Sequence, residues 1–311
     1  MSAQAAPPAG FRIGHWSDRE GLTGCTVVIA PEGTRGGVDV RGGGPGTRET
    51  DVIGPLAGTD RVSAVMFAGG SAYGLAAADG AMRWLEEQGI GYPTPAGIVP
   101  IVPAAIVYDL AEGDAAARPD AASGYAACDG AVEGVPERGR VGAGTGTAAS
   151  KLLGRENAVA SGVGYAAASG AAGVKVAALA VANPFGDVIG ADGAPVALAR
   201  GGDGEALRTA DSIAAMQEPP DPMKAAPGNT TLACVMTDAG LSKAECARVA
   251  RAAAAGIARA VEPVFTEVDG DVVFCLASGD AASTGKFAVL QLQTLAARVV
   301  AEAVRDAVAS A

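Results

Sequence analysis

The chain has 311 residues, 49% of them hydrophobic but only 4% aromatic, and 23 Lys and Arg against 34 Asp and Glu leave a formal net charge of −11. That excess of negative charge repels a phosphate backbone and argues against a nucleic-acid partner. His15 is the sole histidine, which removes most zinc sites and every Ser-His-Asp triad not built on it.

The length allows two domains or one large layered α/β domain, and the apolar content is ample for a core. With 45 glycines and abundant Ala, that core must be built from small side chains in close backbone contact. The N-terminus "MSAQAAPPAGFRIGHWSD" has no basic stretch followed by a long apolar one, and the Ala-rich stretches are interrupted by Gly, Arg, Glu or Asp. A soluble cytoplasmic protein without a membrane span is therefore expected. Cys25, Cys128, Cys234, Cys246 and Cys275 form no C-x-x-C pair and read as small buried thiols.

In chain order, "TGCTVVIA" (23–30) reads as a buried strand, and "PEGTRGGVDVRGGGPGTRETD" as turns around a short second one. "RVSAVMFAGG" is a further strand, followed by a helix from about Ser71 to Gln88 that Gly89 ends. In "IVPIVPAAIVYDL" the prolines Pro100 and Pro103 push the first half of a strand to an edge or loop. A helix near Asp120 to Glu133 comes next, and then "KVAALAVANPFGDVIGADG", one strand to Asn183-Pro184, a turn and a second strand.

Residues 200–229 are polar, broken by Pro-Pro and Asp-Pro, and resemble an exposed loop with one short helix. Regularity then returns. A strand "TLACVMTD" leads to a helix over 243–261, headed by the capping box Ser242 with Glu245. "PVFTEVDGDVVFCLAS" is expected to form a hairpin turning at Asp269-Gly270, and a long helix to run from about Lys286 to Val308. Strands and helices in such pairs favour sheets packed face to face and covered by helices.

Single motifs carry little chemistry. "GDAASTGKF" misses the phosphate-loop spacing, since five residues separate Gly279 from Gly285 and Phe287 stands where the hydroxyl belongs. It reads as a helix entry with a solvated Lys286. "VGAGTGTAASK" is a glycine-rich turn or a set of backbone donors for an anion, with Lys151 expected on the surface. His15 reads as a satisfied structural histidine. Asp269 and Asp271, two apart, point to one side of an extended chain, or else simply furnish a turn. Asn229 and Thr230 are equally ordinary as a turn residue and the start of a strand.

The ordered set of stretches says more. "IGHWSD…TGCTVV", "RGGGPGTRETD", "AGGSAYGLAAADG", "IVYDL", "GAGTGTAASK", "VANPFGDV", "GNTTLACVMTDAGLS" and "VDGDVVFCLASG" together resemble the L-aminopeptidase/D-esterase family, which includes β-aminopeptidases and endo-acting nylon-oligomer hydrolases. The likeness runs over about residues 11–305. It implies a four-layer αββα sandwich of the N-terminal-nucleophile type, in which mixed sheets are covered by helices. It also implies a precursor that cuts itself between Asn229 and Thr230 into a large piece, 1–229, and a small piece, 230–311, that stay together as one domain.

On that resemblance Thr230 is the nucleophile and the new N-terminus, and Tyr108, Lys151, Asn183, Asp269 and Asp271 match the remaining active-site positions. Thr and Asp-Gly-Asp match the nylon-oligomer branch better than the aminopeptidases, which commonly carry Ser and a Ser-Gly-Glu-like triplet. A threonine hydroxyl needs a base, and a free α-amine with a pKa near 8 supplies one without histidine. Asp269 and Asp271 then orient that amine, Lys151 balances them, and Asn183 and Tyr108 donate to the oxyanion, about 3 kcal/mol per donor. Neither metal nor cofactor is expected. The implied substrates are N-terminal aminoacyl peptides or 6-aminohexanoate oligomers, and the implied assembly is a homo-oligomer. An acyltransferase of the ornithine acetyltransferase type and a non-catalytic binding protein with the same fold stay open.

Overall fold

A computed structural model describes residues 5–170, 173–201, 206–217, 228–279 and 286–311. Its frame is two five-stranded sheets. The first has the order Arg12–Asp18, Thr23–Ile29, Ala64–Ala68, Ala104–Ile106, Thr47–Arg48. The second has the order Val163–Ser169, Lys175–Asn183, Thr230–Thr237, Val272–Ala277, Arg35–Val40. Each is mixed, with one parallel pair: Ala64–Ala68 beside Ala104–Ile106, and Thr230–Thr237 beside Val272–Ala277.

Side-chain alternation builds the layers. Along Thr230–Thr237, Leu232, Cys234 and Met236 point between the sheets, where they meet Val28, Phe67 and Phe274; Ala233 and Val235 point the other way, to the outer helices. Phe67 and Phe274, one from each sheet, bring their ring centroids to 6.0 Å. Helices Lys243–Ala258 and Lys286–Ala309 cover the second sheet, burying Val249, Ile257, Leu292 and Val299. Helices Ala77–Glu87 and Ala121–Asp129 cover the first with Trp84, Leu85, Ala127 and Cys128. The result is the expected αββα sandwich. Its small-residue texture has a direct use: a Cβ on Gly80 would fall 1.8 Å from the Ala121 carbonyl oxygen, so those two helices touch backbone to backbone.

The parallel pair in the second sheet needs a crossover, and helix Lys243–Ala258 provides it. Its capping box forms as the sequence predicts, with Ser242 and Glu245 each accepting from the other's backbone N–H. Helix Lys286–Ala309 is long and apolar enough to cross a membrane by length and composition, but half of its apolar window is buried in the protein.

The hairpin expected over 263–278 does not form. Val261–Glu262 pairs with Asp187 and Val188, while Val272–Ala277 lies between Thr230–Thr237 and Arg35–Val40. A strand apolar on both faces belongs at a sheet centre, and its distant partners override the local Asp-Gly turn signal. Of the segment 200–229, Arg200 pairs with Ala206, a short helix spans Thr209–Ala215, and residues 213–217 are exposed. Thr209 is buried, its N–H and hydroxyl each 2.7 Å from the Asp187 carboxylate. Asn229 is buried as well, and residues 202–205 and 218–227 lie outside the described residues, as does most of "GDAASTGKF".

Candidate active site

Thr230 opens the central strand of the second sheet, and the antiparallel register places it opposite Asn183, the last residue of its neighbour. Its hydroxyl donates to the carbonyl oxygen of Asn229 at 2.5 Å. The backbone N–H of Gly270 donates to that same oxygen at 2.8 Å, through a short parallel bridge between Asn229 and Asp269. Thr230, Asn183, Lys151, Asp269 and Asp271 are all between 0 and 2% exposed.

Lys151 is the main departure from base-rate expectation, since it is buried completely instead of lying at the surface. Ser150 before it takes a left-handed backbone, φ 60°, and the N–H groups of Ser150 and Lys151 bind the carbonyls of Gly186 and Phe185 at 3.0 Å. That bend turns the lysine inward. Its Nζ donates to Asn183 Oδ1 at 2.6 Å and to the Asn183 carbonyl at 2.9 Å. Burial, and next the positive charge of Arg155, holds its pKa well below the usual lysine range.

The amide of Asn183 is thereby oriented. Oδ1 faces Lys151 and the Ala148 N–H at 3.2 Å, and Nδ2 donates to the carbonyls of Tyr108 at 3.1 Å and Gly228 at 3.3 Å. Tyr108 is half-buried, with the Arg155 guanidinium 5.4 Å from its ring centroid. Gly228, at φ 85°, lies so close that a Cβ there would sit 2.3 Å from Tyr108 Cβ. The chain's own Gly228–Asn229 therefore fills the space beside Tyr108 and Asn183.

The carboxylates close the other side. Asp271 Oδ1 accepts from the Thr231 N–H at 2.5 Å, and burial, then the neighbouring Asp269, pushes its pKa up to about 8. Asp269 accepts from the Phe185 N–H at 3.2 Å through one oxygen and from the Thr266 N–H and hydroxyl through the other.

All six predicted residues thus converge, Tyr108 at the edge and the rest within. Reading the sequence missed Arg155, which pairs with Glu112 over Tyr108, and Gly270; "GREN" carries no signal, and a backbone donor leaves none. His15 lies elsewhere. Its Nδ1 meets Thr26 Oγ1 at 2.9 Å, and burial lowers its pKa to about 4. The five thiols are buried and unbridged. Among the described residues no group of three His, Cys, Asp or Glu is arranged to hold a metal ion.

Two mixed sheets face to face between helix pairs are the fold of the N-terminal-nucleophile (Ntn) hydrolases. The chain belongs to Peptidase family S58, whose family model matches residues 9–311, and it is a hydrolase of peptide or amide bonds. It is 43% identical to an uncharacterised aminopeptidase of Mycobacterium tuberculosis, over 97% of this chain and 90% of that one. It is 31% identical to the 6-aminohexanoate-oligomer endohydrolase of an Agromyces species, over 96% and 84% of the two chains. Solved structures with the same fold include the L-aminopeptidase D-Ala-esterase/amidase of Ochrobactrum anthropi, TM-score 0.74 at 19% identity over 97% of this chain and 84% of that one. The β-aminopeptidase of a Burkholderia species gives a TM-score of 0.71 at 22% identity, over 96% and 84%.

Proposed function

We propose that the chain is a self-processing amide hydrolase whose nucleophile is Thr230, released as a new N-terminus by cleavage after Asn229. The observation that carries this reading is the Thr230 hydroxyl, buried and 2.5 Å from the carbonyl oxygen of the residue before it, with two buried carboxylates alongside. In the uncut chain Thr230 Oγ attacks the Asn229 carbonyl carbon, and hydrolysis of the resulting ester separates residues 1–229 from 230–311.

The new α-amine then acts as base for its own hydroxyl. Asp269 and Asp271 hold it, Lys151 offsets their charge, and an acyl-enzyme forms and is hydrolysed. Departure of Gly228 leaves one Asn183 amide proton unoccupied, which supports Asn183 as an oxyanion donor, with Tyr108 as its partner. The space vacated by Gly228–Asn229 would take the acyl half of a substrate. Relatives named as an aminopeptidase and as a 6-aminohexanoate-oligomer endohydrolase support N-terminal aminoacyl peptides or such amide oligomers as that substrate. Five unbridged thiols suit a reducing cytoplasm, and the paired pieces are proposed to assemble further as a homo-oligomer.

Intact-mass measurement and N-terminal sequencing of the purified protein test the reading. Two pieces, one beginning Thr-Thr-Leu, are expected, and Thr230→Ala should give one intact, inactive chain. A wild-type chain that hydrolyses amides while remaining uncut would sink it.

A further inference from the structure

We infer that the backbone N–H of Gly270 is the oxyanion donor for self-cleavage, and that the glycine loop Gly42–Gly44 is the positioning device that holds it there. The inference rests on the self-processing reading above. The Asn229 carbonyl oxygen accepts from Thr230 Oγ1 and from Gly270 N. The first donor is lost when the hydroxyl becomes the nucleophile. Asn183 gives its amide protons to Tyr108 and Gly228 instead, so among the described residues Gly270 N–H is a donor that stays on the oxygen as charge develops.

The step balances within the chain. A bond forms between Thr230 Oγ and the Asn229 carbonyl carbon, and the hydroxyl proton goes to the Thr230 nitrogen. That nitrogen leaves with the electron pair of the broken C–N bond as a free amine. Water then cleaves the ester, restoring the hydroxyl and leaving Asn229 as a carboxylate. Negative charge sits on the Asn229 oxygen in the tetrahedral stages, where Gly270 N–H meets it.

The loop "RGGGPG" explains why that N–H stands still. Gly44 N donates to the Asp269 carbonyl at 2.9 Å, Gly43 N to Thr266 at 3.1 Å, and Arg41 N to Asp271 at 2.7 Å. The Asp269 carbonyl and the Gly270 N–H belong to one peptide group, so the bond from Gly44 polarises the donor as well as fixing it. No side chain fits between. A Cβ on Gly43 would lie 2.3 Å from the Glu267 carbonyl oxygen, and one on Gly270 would lie 2.5 Å from that of Gly44.

The test is a full-length chain with glycolic acid at position 270, made by in-vitro translation, in which an ester oxygen replaces the N–H. Its conversion to two pieces is timed against wild type, with Gly43→Ala alongside. The ester chain should cut before Thr230 about 10²–10³-fold more slowly, as read by the mass of the two pieces. Gly43→Ala should slow cutting too, and unfolding of the same substitution in an uncuttable Thr230→Ala background checks that the chain still folds. An ester chain that cuts before Thr230 at the wild-type rate overturns the inference while leaving self-processing intact. Gly43→Ala cutting at the wild-type rate overturns the role of the loop. A wild-type chain that never cuts removes the self-processing reading and this inference together.

Discussion

Lys151 holds both oxygens of Asn183, the side-chain Oδ1 at 2.6 Å and the backbone carbonyl at 2.9 Å, and both residues are fully buried. The two contacts decide which end of the Asn183 amide faces Tyr108 and Gly228. Lys151→Met keeps the bulk and removes both donors, leaving buried acceptors unsatisfied at about 1–3 kcal/mol. We expect a similar loss of thermal stability and a fall of at least about tenfold in both self-cleavage and turnover. Normal rates in this variant would remove Lys151 from the site.

The raised pKa of Asp271 sets a pH dependence. Its folded-state value, about 8, lies above the unfolded value near 4. Stability from this group is therefore fully present below the unfolded value and is lost as pH rises through about 8. If Asp271 relays the Thr230 hydroxyl proton on its way to the Thr230 nitrogen, its ionised form is the one able to take it, and the self-cleavage rate should climb with pH and level off above about 8. After cleavage the new Thr230 amine, a cation beside the carboxylate, pulls that pKa down, and turnover should inflect at a lower pH than self-cleavage. Stopped time courses of cutting and of amide hydrolysis across pH 5–10 would separate the two curves; coincident curves count against Asp271.

Arg155 acts through charge. Its guanidinium is a neighbour that lowers the proton affinity of Lys151, whereas Glu112 raises it. Arg155→Gln removes the positive charge and leaves the negative one unopposed, which favours protonated Lys151. The alkaline limb of the turnover profile should move to higher pH. A limb that stays put, or moves down, would mean that Lys151 does not titrate with activity.

Leu232 lies fully buried between the sheets, two residues after Thr230. Leu232→Ala should lower unfolding free energy by about 2–5 kcal/mol in an uncuttable Thr230→Ala background, measured by denaturant unfolding. A loss under about 1 kcal/mol would show that the layer closes over the gap.

What could be read from the sequence divides by range. The apolar run 230–237 and the Ser242–Glu245 cap are local signals, and both correspond to real elements. The Asp269-Gly270 pair is a local signal that misleads, because Val272–Ala277 finds its partners far along the chain. The site lies at the far end of this scale. Tyr108, Lys151, Asn183, Thr230 and Asp269 come from separate segments, and the register of Asn183 against Thr230, with the left-handed bend at Ser150, brings them together. Neither spacing nor composition encodes that convergence, so only the resemblance to a family pointed to it. Lys151 shows the limit most plainly, for its burial depends on a backbone angle one residue upstream.

In the second sheet the two strands contributed by residues 230–311 are bracketed on both sides by strands from residues 1–229. A cut before Thr230 would leave two pieces interdigitated like the fingers of clasped hands, so dilution alone should not part them. Denaturation would. Refolding would then require a bimolecular encounter, making recovery depend on protein concentration in a way that an uncut chain escapes. The cut would turn a reversible folding reaction into an act of assembly, and the folded enzyme into a product of its own history.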